Sequence, residues 1–418
     1  MKYVILIVEG SAEPVPEDAS VSTALEAAVL PNLAALARTG RVGAAAFIPE
    51  GCTPDEEIAM VSAFGIEPLG AGITRGVLDA ISQGVDIEPG SVVASVELIT
   101  VIDRDAEGAG EILEPVSIPE REAVGLFDDL AAFWRGRGRN VAVHHVGGRR
   151  AVLIESVGHS FRGVRTEVPV LGEAFDTLLP AGGIPGEADA LAALVRTSHE
   201  FLREHEINLA RVEQGLLPAN LAWVTQPSPR PHVPGFKERT GLSACVVDRR
   251  GIAIGLARLL EIEAIVAVEV TLGDLARIAI EAIDTNDVVI VRITNTPLEA
   301  VDSEFVGPLL NRLFSEGNPE VQPATSAASS GFASGWRMLV MPTRVVDKNG
   351  MEHNDPVPII MAGAWIRAAV LRRWTERDAA QSDLFVRHGH ELMEYFLFGG
   401  LTRRPTRSRN RRFKNEQS

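Results

Sequence analysis

Apolar runs of strand length alternate with stretches of helical period over both ends of this 418-residue chain. Residues 3–8, YVILIV, form the first run, and the acid Glu9 and Gly10 follow it at once. The stretch STALEAAVLPNLAALARTG (22–40) then repeats its apolar positions at helical spacing up to Gly40, a glycine stop. The second half continues the alternation. SACVVD (243–248) precedes the helical GIAIGLARLLEI, AIVAVEV precedes GDLARIAIEAIDT, and DVVIVRI (287–293) precedes EFVGPLLNRLF. Two further strands, RMLVMP (337–342) and PVPIIMAG (356–363), lead to a last helix, HELMEYFLF. The middle reads differently: SVVASVELITVID and NVAVHHVGGRRAVLIES have the pattern of antiparallel strands, the second folding into a hairpin at Gly147-Gly148, with the helix EREAVGLFDDLAAFW between them.

This order predicts an α/β core with a mostly parallel sheet between helices, plus an inserted smaller α+β domain. The expected boundaries are 1–71 and 235–401 for the core, 72–234 for the insert and 402–418 for a disordered tail. PATSAASSGFASG (323–335) reads as a low-complexity loop.

Composition narrows the class. Hydrophobic residues at 46% and charged ones at 23% describe a globular chain. The opening apolar run is too short for a signal peptide, and no run approaches the roughly 18 residues of a membrane span. Cys52 and Cys245 lie far apart without ligand spacing, so a cytoplasmic setting and no membrane are expected. The formal charge is −16, yet residues 402–418 carry seven Lys/Arg against the single acid Glu416, which leaves about −22 on the rest. An acidic body excludes nucleic acid as the main ligand, since phosphate repulsion would dominate. The tail is expected to be solvated, with an acidic partner as its functional alternative.

Motifs for common chemistries are absent or explained locally. GFASG (331–335) has the wrong spacing for a nucleophile elbow and precedes a strand where that elbow follows one. No Gly-rich nucleotide cradle occurs. His144 and His145 are adjacent on a strand and point to opposite faces, and His388 and His390 sit where the last helix begins. In TPDEEIAMVSAFG (53–65), Asp55, Glu56 and Glu57 occupy a helix N-terminal turn, where the macrodipole favours acids.

The stretch PANLAWVTQPSPRPHVPGFKERTGLSACVVD (218–248) resembles the cofactor-independent phosphoglycerate mutases of the archaeal type, in the alkaline-phosphatase-like metalloenzyme superfamily. MKYVILIVEGSAE, LARTGRVGA, VSAFGIEP, TRGVLDAISQGVDIEPG, ITVID, NDPVPIIMAG and GHELMEYFL agree in order and spacing, so the resemblance covers about residues 1 to 400. It implies an alkaline-phosphatase-like core, a serine that relays the phosphoryl group between two hydroxyls of phosphoglycerate, and two divalent ions, usually manganese or zinc.

Carried over position by position, the resemblance keeps the scaffold and loses most of that chemistry. The first-strand aspartate ligand matches Glu9, the nucleophile serine matches Glu56 and the adjacent aspartate matches Glu57. A nearby asparagine is replaced by Met60. An Asp-x-x-x-His metal pair falls on Pro297 and Val301, and an Asp-His pair falls on Thr343 and Arg344. The insert's P-P-H-D segment falls on EVPV (167–170), and the last histidine ligand falls on Glu352 or His353. Glu9, Glu57 and His353 are therefore the remaining metal candidates, and Glu9 is expected to be hydrogen-bonded or paired with a cation such as Arg344. Anion-binding positions are kept at Lys237 (one of four lysines), Arg230 and Arg75.

Three readings follow. The first is a non-catalytic anion- or partner-binding member of the family, with a small phosphorylated or anionic ligand and no metal cofactor. The second is an active metal-dependent phosphotransfer enzyme with Mn or Zn on a rearranged ligand set. The third is a partner-binding module that acts through its tail. Homo-oligomerisation is compatible with each.

Overall fold

A computed structural model of the protein describes residues 1–103, 110–113, 116–156, 159–249, 251–315, 335–366 and 372–399. The tail and all but the last residue of the 323–335 loop lie outside these. In chain order the principal strands are β1 (Lys2–Val8), β2 (Arg41–Ala45), β3 (Ser91–Ile99), β4 (Val141–Gly147), β5 (Arg150–Ser156) and β6 (Leu221–Pro229). They continue as β7 (Ala244–Asp248), β8 (Glu263–Val266), β9 (Val288–Ile293), β10 (Trp336–Met341), β11 (Val357–Gly363) and β12 (Phe385–Val386).

Eight strands form the main sheet in the order β8-β7-β9-β1-β10-β11-β2-β12. Only β11 runs against the others. Both faces are covered, as a parallel sheet requires. Successive side chains alternate between the faces. Tyr3, Ile5 and Ile7 join a core with helices Glu56–Ala63, Arg75–Ser82, Ile252–Leu259 and Glu391–Phe398. Val4, Leu6 and Val8 join another with helices Pro31–Thr39, Leu272–Thr285 and Gly307–Ser315.

The second sheet is antiparallel, β6-β3-β5-β4, and the β4–β5 hairpin turns at Gly147 and Gly148, both at positive φ. One of its faces packs on helices Glu120–Gly136 and Glu187–Leu202. The other, through Val93, Val152 and Ile154, packs on the first of the two cores. The helix Arg75–Ser82 lies between the sheets. A Cβ at Gly76 would stand 2.9 Å from the backbone of Ala94, and one at Gly255 only 2.3 Å from the Leu78 carbonyl oxygen. Both glycines are needed for close approach rather than for an unusual φ.

Two elements differ from the pattern reading. The 22–40 stretch is two helices, Ala24–Ala27 and Pro31–Thr39, because Pro31 lacks an N–H and drives Leu30 out of the helical region. The helix around EFVGPLLNRLF starts earlier, with a π-helical turn at Val301–Val306 in which Gly307 N–H bonds to the Asp302 carbonyl. Among the described residues no helix is long and apolar enough to cross a membrane.

Candidate functional site

Strand parity places three charged side chains together. Glu9 follows β1 on the side of Ile5 and Ile7, Arg292 lies in β9 on the side of Val288 and Ile290, and Asp248 ends β7 on the side of Val246. Because β7, β9 and β1 are neighbours, with Ile7 opposite Arg292, the three converge at the carboxyl ends of the strands. The helix Glu56–Ala63 covers this face, and its N-cap Asp55, accepting from Glu57 N–H at 2.6 Å, fixes where Glu56 projects.

The result is an ion-pair cluster. Arg292, 7% exposed, bonds through Nη2 to Glu56 Oε1 and through Nη1 to Asp248 Oδ2 at 3.3 Å, with Nε 3.7 Å from Glu9 Oε1. Glu56 also meets Arg344 Nη2 at 3.5 Å and Arg75 Nη1 at 2.9 Å. Arg344 extends to Glu352 at 2.7 Å, and Arg75 to Asp79 at 3.1 Å, which Arg150 reaches at 3.3 Å. Thr343 donates its hydroxyl to Glu9 Oε1 at 2.7 Å. The Glu56 carboxylate is thus the hub of three guanidiniums.

Protonation follows from burial and charge. Burial alone would raise the Glu56 carboxyl, but Arg292, Arg344 and Arg75 outweigh it and hold it at about 2. Its neighbour Glu57 is governed by burial and by the Asp55 charge, which push it up to about 8. Glu57 faces away from the cluster's centre and accepts from Gln226 Nε2 of β6 at 3.0 Å. Burial would lower Arg292, but Glu9, Asp248 and Glu56 raise it above the usual range, so it stays charged.

The expected residues are only partly gathered here. Glu9 and Glu56 belong to the cluster. The cation beside Glu9 is Arg292 rather than the expected Arg344, because Arg292 shares the strand-end row with Glu9 whereas Arg344 leans toward Glu352. Arg75 is committed to Glu56 and Asp79. Arg230 and Lys237 are exposed, with no side-chain partner among the described residues. His353 sits in a two-residue ribbon with Val345–Val346 and faces Asp347 at 3.6 Å. Sequence reasoning missed Arg292 and Asp248. Their signal was a lone arginine in the otherwise apolar VVIVRI, and an acid closing SACVVD as Glu9 closes YVILIV.

A two-metal centre does not fit these residues. Glu9, Glu57 and His353 do not converge, and no group of three or more His, Cys, Asp or Glu that could hold a metal occurs among the described residues. The space between Glu9, Glu56 and Asp248 contains a guanidinium. Pro297 and the fully buried Val301 offer no donor atoms, and the Thr343 hydroxyl is spent on Glu9.

Residues 37–208 match the family model of 2,3-bisphosphoglycerate-independent phosphoglycerate mutase. A 2,3-bisphosphoglycerate-independent phosphoglycerate mutase from Methanothrix thermoacetophila is 27% identical, with 96% of this chain and 100% of that protein covered. One described as a probable mutase, from Geobacter sulfurreducens, is 26% identical over 95% of this chain and 100% of its own length. Among solved structures, a Pyrococcus horikoshii protein superposes with TM-score 0.70 at 19% identity, covering 95% of this chain and 96% of that one. A cofactor-independent phosphoglycerate mutase from Thermoplasma acidophilum superposes with TM-score 0.57 at 20% identity, covering 95% and 99%. These likenesses agree with the alkaline-phosphatase-like α/β architecture, and over most of its length the chain is similar to 2,3-bisphosphoglycerate-independent phosphoglycerate mutases.

Proposed function

We propose that this protein is a non-catalytic member of the mutase family, an anion- or partner-binding protein of the cytoplasm. The observation that carries this reading is the engagement of Glu56, at the position of the phosphoryl-accepting serine, by Arg292, Arg344 and Arg75. A carboxylate held ionised by three guanidiniums is a poor nucleophile, and the buried Arg292 supplies the positive charge that divalent ions would otherwise bring. Exposed Lys237 and Arg230 remain free to meet a small phosphorylated or anionic ligand.

The names of the relatives favour a second reading, an active phosphoglycerate mutase that uses Mn or Zn. Elemental analysis of purified protein and a coupled assay of 3- to 2-phosphoglycerate interconversion with added Mn²⁺ separate the two. The first reading expects no stoichiometric metal and no turnover. Bound metal together with turnover, both lost in Glu9→Ala, would establish the second.

A further inference from the structure

At the opposite, amino-terminal edge of the main sheet lies a cavity of about 180 Å³, walled by Arg41, Arg337, Trp365, Tyr395 and Phe396. Arg41 opens β2 and Arg337 is the second residue of β10. By strand rise the cavity is roughly 20 Å from the Glu9 cluster, which lies at the other end of the same strands.

Its chemistry is that of an incomplete ion pair. Arg337 is 8% exposed and bonds through Nε to Ala364 O at 2.9 Å and through Nη1 to Phe396 O at 2.8 Å. No carboxylate pairs with it among the described residues, and no acceptor meets its Nη2. A buried guanidinium satisfied only by carbonyls lacks a counter-charge. Arg41 uses Nη2 on Asp383 at 2.8 Å, while its Nε is buried without a partner.

A separate observation concerns Trp365. It is 79% exposed, stands at φ +62°, and places its ring 5.6 Å from the Arg337 guanidinium carbon. A bulky residue in the left-handed region is strained, and an exposed indole gains nothing from burial to offset that strain. Such outliers cluster where a ligand is held.

We propose that this cavity binds a small organic anion, its carboxylate received by Arg337 and Arg41 and its apolar or aromatic part resting on Trp365. The guanidiniums match a planar two-oxygen anion, and the volume admits a molecule of a few heavy atoms or one end of a larger one. The site takes nothing from the Glu9 cluster and stands whether or not the protein is a mutase.

The test is calorimetric titration of the full-length protein with sodium benzoate, acetate and inorganic phosphate at constant ionic strength. The expected result is saturable benzoate binding, weaker binding of acetate and phosphate, and about tenfold lower benzoate affinity in Arg41→Gln and in Trp365→Gly. Trp365→Gly relieves the positive φ, so this variant remains folded even if an Arg337→Met variant does not. Three results would overturn the proposal: no saturable heat for any of the three anions at tens of millimolar, benzoate affinity unchanged in both variants, or phosphate binding as tightly as benzoate and indifferent to Trp365→Gly.

Discussion

Arg292 meets three acids of the cluster, Glu9, Glu56 and Asp248. Removing it leaves Glu9 and Asp248 buried, and Glu56 half-buried, around a vacated guanidinium. Breaking a buried pair from one side costs about 3–5 kcal/mol, so Arg292→Ala should lose that much in urea denaturation near neutral pH. Glu56 and Glu57 give opposite pH signatures. Glu56, at about 2 against an ordinary 4.5, adds stability that is present above 4.5 and lost as pH falls toward 2. Glu57, at about 8, keeps its proton in the folded chain while the unfolded chain loses its own, so its contribution worsens as pH rises from 4.5 to 8. Glu57→Gln should therefore be more stable than the parent by about 1–3 kcal/mol at pH ~9, with the gap closing toward pH ~4.5. Melting curves at the two pH values would check it, and a pH-independent gap would show that Glu57 binds its proton equally in the folded and unfolded chains. Pro297, Val301, Thr343 and Arg344 could be set against the ligand positions that the resemblance implies, because those positions are read along the sequence. Arg292 matches no such position, and apolar flanks alone do not tell a guanidinium which acids it will meet.

At the scale of elements, the sequence carried most of the architecture, since long apolar runs and helical periods are local. What it hid are supports that arrive from afar. The helix Pro31–Thr39 has no side-chain cap of its own; instead the fully buried Asp302 accepts from Asn32 N–H at 3.0 Å, from Leu33 N–H at 2.7 Å and from the Asn32 amide at 3.0 Å. Asp302 reaches that helix from the π-helical turn, some 270 residues on. Asp302→Ala should cost about 2–3 kcal/mol, because it strands these donors away from water. Chemical denaturation measures it, and a loss below about 0.5 kcal/mol would mean that water caps the helix instead.

The whole molecule depends on the helix Arg75–Ser82, which packs on the second sheet and on the helix Ile252–Leu259 of the main sheet's cover, and carries Arg75 and Asp79 into the ion-pair cluster. Its spacing from Ile252–Leu259 is set by Gly255 against the Leu78 carbonyl. Gly255→Ala must push the two helices apart, with an expected loss of about 1–3 kcal/mol, and the movement should be read in the Glu56–Arg75 distance of a variant structure. Which sheet met which helix was legible only as order along the chain, because a close approach at a single glycine leaves no periodic trace. The cluster itself has a consequence that reaches beyond stability. A metal centre is filled from solution, so its charge varies with ion supply, competitors and chelators. Arg292 is tethered by its own backbone, at a local concentration that dilution cannot change. The positive charge at the heart of this fold is therefore inherited with the chain, the same in any medium in which the chain is folded.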